Sequence, residues 1–134
     1  MKEIIQRSIA EYVRQDLQKK MVFIGGPRQS GKTTLATHLL DALGLDQNRR
    51  YLNWDAARDR ENITKEQFPA EPGLLVLDEI HKYKRWRQVV KGLFDKRKDE
   101  VQVLVTGSAR LDHCSKTFIS FSGFTLLDLR KFGL

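Results

Sequence analysis

One cysteine, three prolines and no apolar run longer than a few residues set the first limits on this chain of 134 residues. Cys114 alone cannot close an intrachain disulfide, and no Cys-x-x-Cys or Cys/His cluster offers metal-ligand spacing, so a reducing compartment is expected. The longest apolar stretches, such as Leu74 to Leu77, fall far short of the roughly 20 residues a membrane helix needs. The N-terminus lacks an apolar signal core, and Glu3, Glu11 and Asp16 argue against an acid-poor transit peptide. Cytoplasm, with no membrane contact, is the expected location. There is no repeat, no low-complexity tract and no Gly/Ser-rich linker, so the chain reads as one unit. A composition of 40% hydrophobic and 31% charged residues supplies a globular core and excludes a disordered or fibrous chain.

The charge is one-sided. A formal net charge of +7 points to an anionic partner, whether nucleotide phosphates, nucleic acid or an acidic surface. Between His81 and Arg110 stand nine basic residues (Lys82, Lys84, Arg85, Arg87, Lys91, Lys96, Arg97, Lys98, Arg110) against three acidic ones (Asp95, Asp99, Glu100). The face around Lys82 to Lys91 therefore offers a surface to a nucleic-acid or protein partner, although no aromatic-interleaved reading motif accompanies it and charge runs commonly serve only as solvated surface.

Periodicity divides the chain into alternating strands and helices. Ile5, Ile9, Val13 and Leu17, four apart, predict an amphipathic helix over Glu3 to Gln18. Met21 to Ile24 predicts a buried strand opening into Gly25 and Gly26, and a second helix begins near Lys32 with Leu35, Ala36, Leu39, Leu40 and Leu43 on one face and Gly44 at its end. Arg50 to Trp54 predicts a strand, and Asp55 to Gly73 a connector with one short helix. Leu74 to Leu77 reads as another buried strand. Trp86, Val89, Val90, Leu93 and Phe94 predict a helix with Arg85, Gln88 and Lys91 on its opposite face, followed by a turn from Asp95 to Glu100. Val101 to Val105 and Phe124 to Leu129 complete the strands. The alternation predicts an α/β fold in which helices cover both faces of a mostly parallel sheet.

Between the first strand and the second helix lies Gly26-Pro27-Arg28-Gln29-Ser30-Gly31-Lys32-Thr33, which satisfies G-x-x-x-x-G-K-[ST] in the strand–loop–helix context that the motif requires. Glycines let successive N–H groups turn toward an anion, and the N-terminal end of the following helix adds to the field. Lys32 is placed to reach β- and γ-phosphates, Thr33 to hold Mg²⁺, and Thr34 to hydrogen-bond a phosphate. Arg28 and Gln29 face either the γ-phosphate or solvent.

Asp78 and Glu79 follow the apolar run Leu74 to Leu77, at the carboxyl end of a strand, where open α/β sheets collect their ligands. Asp78 would hold Mg²⁺ directly or through water. Glu79, diverging from Asp78 along an extended chain, would orient or deprotonate an attacking water. An Asn-Lys-x-Asp guanine-reading motif and a Leu-Ser-Gly-Gly-Gln signature are both absent, and a nucleotide kinase would need a lid for which the chain has little room. Of the remaining residues, His38 is most simply surface and His81 a polar loop residue, His113 beside Cys114 lacks a third metal ligand, Trp86 falls on a packing stripe, and Trp54 is placed to approach nucleotide or partner.

Three segments, Gly25 to Thr34, Leu77-Asp78-Glu79-Ile80-His81-Lys82 and Val105-Thr106-Gly107-Ser108-Ala109-Arg110, together resemble the AAA-type ATPase domain of bacterial and archaeal proteins that carry a nuclease-like C-terminal domain. The likeness spans about residues 1 to 114. It implies a P-loop NTPase three-layer sandwich with a sheet of about five strands in the order 5-1-4-3-2. It also implies a sensor, Thr106 or Ser108, that contacts the γ-phosphate or the attacking water. Two departures accompany it. The family's Gly-Arg pair before the last strand, whose arginine would stabilise transition-state charge, is matched here by Gly123-Phe124, and Ser115 to Ser122 fit the family pattern poorly. The expectation is a single AAA-type domain over residues 1–134, truncated or altered after about residue 114. Mg²⁺-dependent ATP hydrolysis would be weak in isolation, with a neighbouring subunit of an oligomer or a partner supplying the arginine. The alternative is a module that binds ATP and ADP as a switch for a nucleic acid or protein, with negligible turnover.

Overall fold

A computed structural model describes residues 2–19, 21–27, 31–97, 99–108 and 124–129. The elements run α1 (Lys2–Leu17), β1 (Met21–Gly25), α2 (Lys32–Ala42), α3 (Gln47–Arg50), β2 (Tyr51–Asn53), α4 (Ala57–Thr64), β3 (Gly73–Asp78), a 3₁₀ turn (Ile80–Lys82), α5 (Trp86–Arg97), β4 (Val101–Gly107) and β5 (Phe124–Asp128). Arg28, Gln29, Ser30, Ala109, Arg110, His113, Cys114, Ser115 to Ser122 and Gly123, singled out above, lie outside the described residues, as do the side chains of Ile5 and Phe124.

The five strands form one parallel sheet in the order β2-β3-β4-β1-β5, which is the expected 5-1-4-3-2 read from the other edge. Each strand returns to the sheet from the same end, so the carboxyl ends of β1, β3 and β4 lie side by side. Asp78 pairs with Thr106, and Gly25 with Gly107.

Side-chain alternation divides the three central strands between two cores. Met21 and Phe23, Leu75 and Leu77, and Val101, Val103 and Val105 face one side, where they pack with Val89, Val90 and Leu93 of α5 and Ile63 of α4. Val22 and Ile24, Leu74 and Val76, and Leu104 face the other, against Ile9, Val13 and Leu17 of α1 and Leu35, Ala36, Leu39 and Leu40 of α2. Strands buried on both faces read as continuous apolar runs, which is why Met21–Ile24 and Leu74–Leu77 show no polar alternation.

Local differences from the sequence reading have simple causes. Leu43, expected on the buried face of α2, is 42% exposed, because the helix ends at Ala42 and the chain turns. Its closing bonds run from the Gly44 N–H to the Asp41 carbonyl and from the Leu45 N–H to that of Leu40. The helix α5 continues through Asp95 to Arg97 where a turn was expected. Arg97 donates to the carbonyls of Pro69 (2.9 Å) and Ala70 (2.9 Å), a long-range tie that periodicity does not reveal.

Arg50 is the other unexpected anchor. Its buried guanidinium donates to the carbonyls of Leu74 (3.2 Å), Glu71 (2.7 Å) and Pro72 (3.2 Å), fixing the connector that leads into β3. Burial pushes its pKa down, a shift opposed by Glu71, whose carboxylate lies 4.0 Å away. Because these are charge-assisted bonds from a buried guanidinium to backbone carbonyls, Arg50→Leu is expected to destabilise the protein by about 2–4 kcal/mol, measured by urea or thermal unfolding. A loss within experimental error would show that the connector is held by other contacts.

Candidate functional site

The loop between β1 and α2 ends at Gly31, whose φ of 94° lies in the left-handed region that a side chain at this position would strain. The helix then begins at Lys32, so the motif's lysine and threonine occupy its first turn. Lys32 is a buried cation whose Nζ donates to the carbonyls of Gly26 (2.8 Å) and Pro27 (2.8 Å). The lysine is thus folded back over its own loop, its charge satisfied by carbonyl dipoles. Thr33 and Thr34 are exposed at the helix start, beside the loop.

Parity along β3 and β4 carries Asp78 and Thr106 to the α2 side of the sheet, following Val76 and Leu104. Asp78 is buried, and both of its carboxylate oxygens accept hydrogen bonds. Thr106 Oγ1 donates to Oδ1 at 2.7 Å, and the Tyr51 hydroxyl donates to Oδ2. Thr33 Oγ1 stands 3.4 Å from that same tyrosine oxygen. Thr33, Tyr51 and Asp78 therefore form a chain of oxygens from the phosphate loop to the end of β3. Burial first, then the hydrogen bond to Asp78, pushes the Tyr51 phenol above its ordinary pKa and keeps it a neutral donor.

Thr33 and Asp78 are hard oxygen donors on either side of one hydroxyl. A set of this kind, with a single carboxylate, suits Mg²⁺, which retains several waters and takes few protein ligands.

Glu79 reaches its place differently from the sequence reading. It does not continue the extended strand, because β3 ends at Asp78 and Glu79 adopts φ 58° to start the 3₁₀ turn. A non-glycine residue in this left-handed region is uncommon and costs energy. The Glu79 N–H donates to the Thr106 carbonyl at 2.8 Å, and its carboxylate accepts from the Ser108 N–H at 3.0 Å and from Ser108 Oγ at 3.2 Å. His81 Nε2 and Lys82 Nζ lie 3.5 Å and 3.7 Å from Glu79 Oε2.

The two sensor candidates separate clearly. Thr106 is fully buried with its hydroxyl committed to Asp78, whereas Ser108 is exposed and beside Glu79. His81, read as a polar loop residue, is largely buried, and its Nδ1 has no hydrogen-bond partner among the described residues. A Cβ on Gly107 would stand 2.7 Å from that nitrogen, so the backbone approaches the imidazole as closely as only glycine permits.

The remaining candidates lie apart. Trp54 stacks on Tyr83 with ring centroids 4.4 Å apart, and the Arg60 guanidinium lies 5.2 Å from the indole centroid, so intramolecular neighbours already occupy it. Trp86 packs in the core as expected. Lys82 is tied to both carboxylate oxygens of Asp55 at 3.0 Å, while Lys84, Arg85, Arg87 and Lys91 are exposed. Among the described residues no helix is long and apolar enough to cross a membrane. Tyr51 and Arg50 are the residues that sequence reasoning missed. The signal for Tyr51 was available in the register of a strand whose Leu52 faces the α5 side.

Comparison with known proteins places these features in a family. The model of the AAA domain family matches residues 18–126. No curated protein matches the chain. Among solved structures, PCH-2 of C. elegans is 17% identical, with a TM-score of 0.49, over 93% of this chain and 40% of that one, so the chain spans less than half of that protein's length.

One consequence of the site's packing can be tested through pH. Burial lowers the His81 pKa from its ordinary 6.5, opposed mainly by the Glu79 carboxylate and reinforced by Lys82. The folded protein thus binds this proton less readily than the unfolded chain. The corresponding stability is full above 6.5 and is lost as pH falls through the folded-state value. NMR titration should find His81 titrating below 6.5, and His81→Gln should flatten the fall of unfolding free energy with acidification. A His81 that titrates above 6.5 would contradict this packing.

Proposed function

Since the chain belongs to the AAA domain family, we propose that its site binds ATP together with Mg²⁺ and hydrolyses ATP to ADP and phosphate. The observation that carries this reading is the convergence of Lys32 and Thr33 at the start of α2 with Asp78, Glu79, Thr106 and Ser108 at the ends of β3 and β4. Two of these six side chains, Lys32 and Asp78, are ionisable groups buried at a cost that packing alone does not require.

Each residue then has a distinct task. Lys32 exchanges its bonds to Gly26 and Pro27 for phosphate oxygens, so its charge is never left unpaired. Gly26, Arg28, Gln29, Ser30 and Gly31 supply backbone N–H groups, Pro27, which has none, fixes the bend of the loop, and Thr34 adds its hydroxyl. Thr33 and Asp78 hold the Mg²⁺, which when bound neutralises phosphate charge and polarises the phosphoryl group. Thr106 orients Asp78 from behind. Glu79 accepts a proton from the attacking water, and Ser108, which holds its carboxylate, senses the γ-phosphate.

A second reading has its own support. Both oxygens of Glu79 already accept hydrogen bonds from Ser108, which suits a protein that binds ATP as a switch with negligible turnover. In that case the exposed Lys84, Arg85, Arg87 and Lys91 form the face toward a nucleic-acid or protein partner. Turnover measured with and without DNA or RNA separates the two.

By calorimetry, Lys32→Ala is expected to weaken ATP binding by about 10- to 100-fold while circular dichroism stays unchanged. Equal affinity would sink the phosphate-loop assignment. Glu79→Gln is expected to retain binding and abolish phosphate release, because an amide orients water but cannot take its proton. Undiminished turnover in that variant would remove Glu79 from the mechanism.

A further inference from the structure

The Tyr51 hydroxyl occupies the space between the two oxygens assigned above to the metal. It donates to Asp78 Oδ2 and stands 3.4 Å from Thr33 Oγ1, while Thr106 donates to the other carboxylate oxygen. Asp78 thus presents no oxygen without a hydroxyl donor, and the gap between Thr33 and Asp78 holds one oxygen atom already. The phenol comes from β2, which is three residues long and, among the described residues, hydrogen-bonded to β3 alone at the edge of the sheet. Thr106, in contrast, is fully buried on a strand paired on both sides. Of the two donors, Tyr51 is the one that can withdraw.

We infer that Tyr51 is a positioning residue that holds the metal place in the nucleotide-free protein. Its hydroxyl keeps Asp78 aimed at Thr33, and it surrenders Oδ2 when Mg²⁺ arrives with nucleotide. The inference rests on the nucleotide-binding reading above. The alternative, a tyrosine that goes on supporting Asp78 in the loaded site, makes the opposite prediction. A competing donor weakens metal binding and its removal strengthens it, whereas removal of a supporting donor weakens it.

The test measures ADP affinity by calorimetry in Mg²⁺ and in EDTA for the unmodified chain and for Tyr51→Phe, and takes the ratio as the gain due to metal. Tyr51→Phe is expected to raise this gain by about 3- to 10-fold with the EDTA affinity unchanged. An unchanged or smaller gain would overturn the inference and leave nucleotide binding standing. Failure of the unmodified chain to bind ADP in either condition would overturn the nucleotide reading and this inference with it. A second measurement uses the unmodified chain with ¹³C-labelled tyrosine. The Cζ resonance of Tyr51 should move on adding ADP with Mg²⁺ and stay in place with ADP and EDTA. A resonance indifferent to the metal would count against release of Asp78, whatever the folding of the variant.

Discussion

Strict side-chain alternation in three strands buried on both faces is the constraint from which the rest follows. The apolar residues of β1, β3 and β4 alternate between the core beneath α5 and the core beneath α1 and α2. A slip of one residue in any of them would exchange that strand's two sets of side chains, and in β3 it would turn Asp78 away from the α2 side. Register therefore does two things at once. It closes both cores, and it delivers the first polar side chain after each apolar run to a known side of the sheet. Asp78 and Thr106 meet at 2.7 Å because their strands are in register and share parity, with no special loop required.

The elements were legible where apolar runs are long or strictly periodic. Met21–Ile24, Leu74–Leu77 and the stripe from Trp86 to Phe94 each have only one way to be buried, so the strands and helix follow from them. The places of Lys32 and Thr33 at the start of α2 and of Asp78 at the end of β3 were legible too, because the loop pattern and the apolar run fix local position. The contributions of Tyr51, Arg50 and Arg97 were not. Each acts across 20 or more positions of sequence, Tyr51 on Asp78, Arg50 on Leu74 and Arg97 on Pro69. Nothing in a local window distinguishes an arginine that clamps carbonyls from one in solvent.

Glu79 illustrates a different limit. Its place after Asp78 draws attention in the sequence, but strand alternation does not apply to a residue at φ 58°. The turn aims the carboxylate toward Ser108, and the two adjacent acids of the motif end in unlike surroundings. Asp78 is buried between hydroxyls, whereas Glu79 lies among Ser108, His81 and Lys82. One peptide unit separates a carboxylate buried between two hydroxyls from one held by a backbone N–H and a hydroxyl beside basic side chains. Such a division of roles is easier to build at a strand-to-turn junction than within a strand.

The approach of Gly107 to His81 also bears on how related chains can diverge. With a Cβ at position 107 falling 2.7 Å from the imidazole, position 107 is not free to vary while His81 is kept. A residue with a Cβ at 107 becomes accessible only after His81 has given way to a shorter side chain, while replacing His81 first leaves room for that Cβ. Substitution histories at the two positions are therefore ordered as well as paired: change at 81 precedes change at 107.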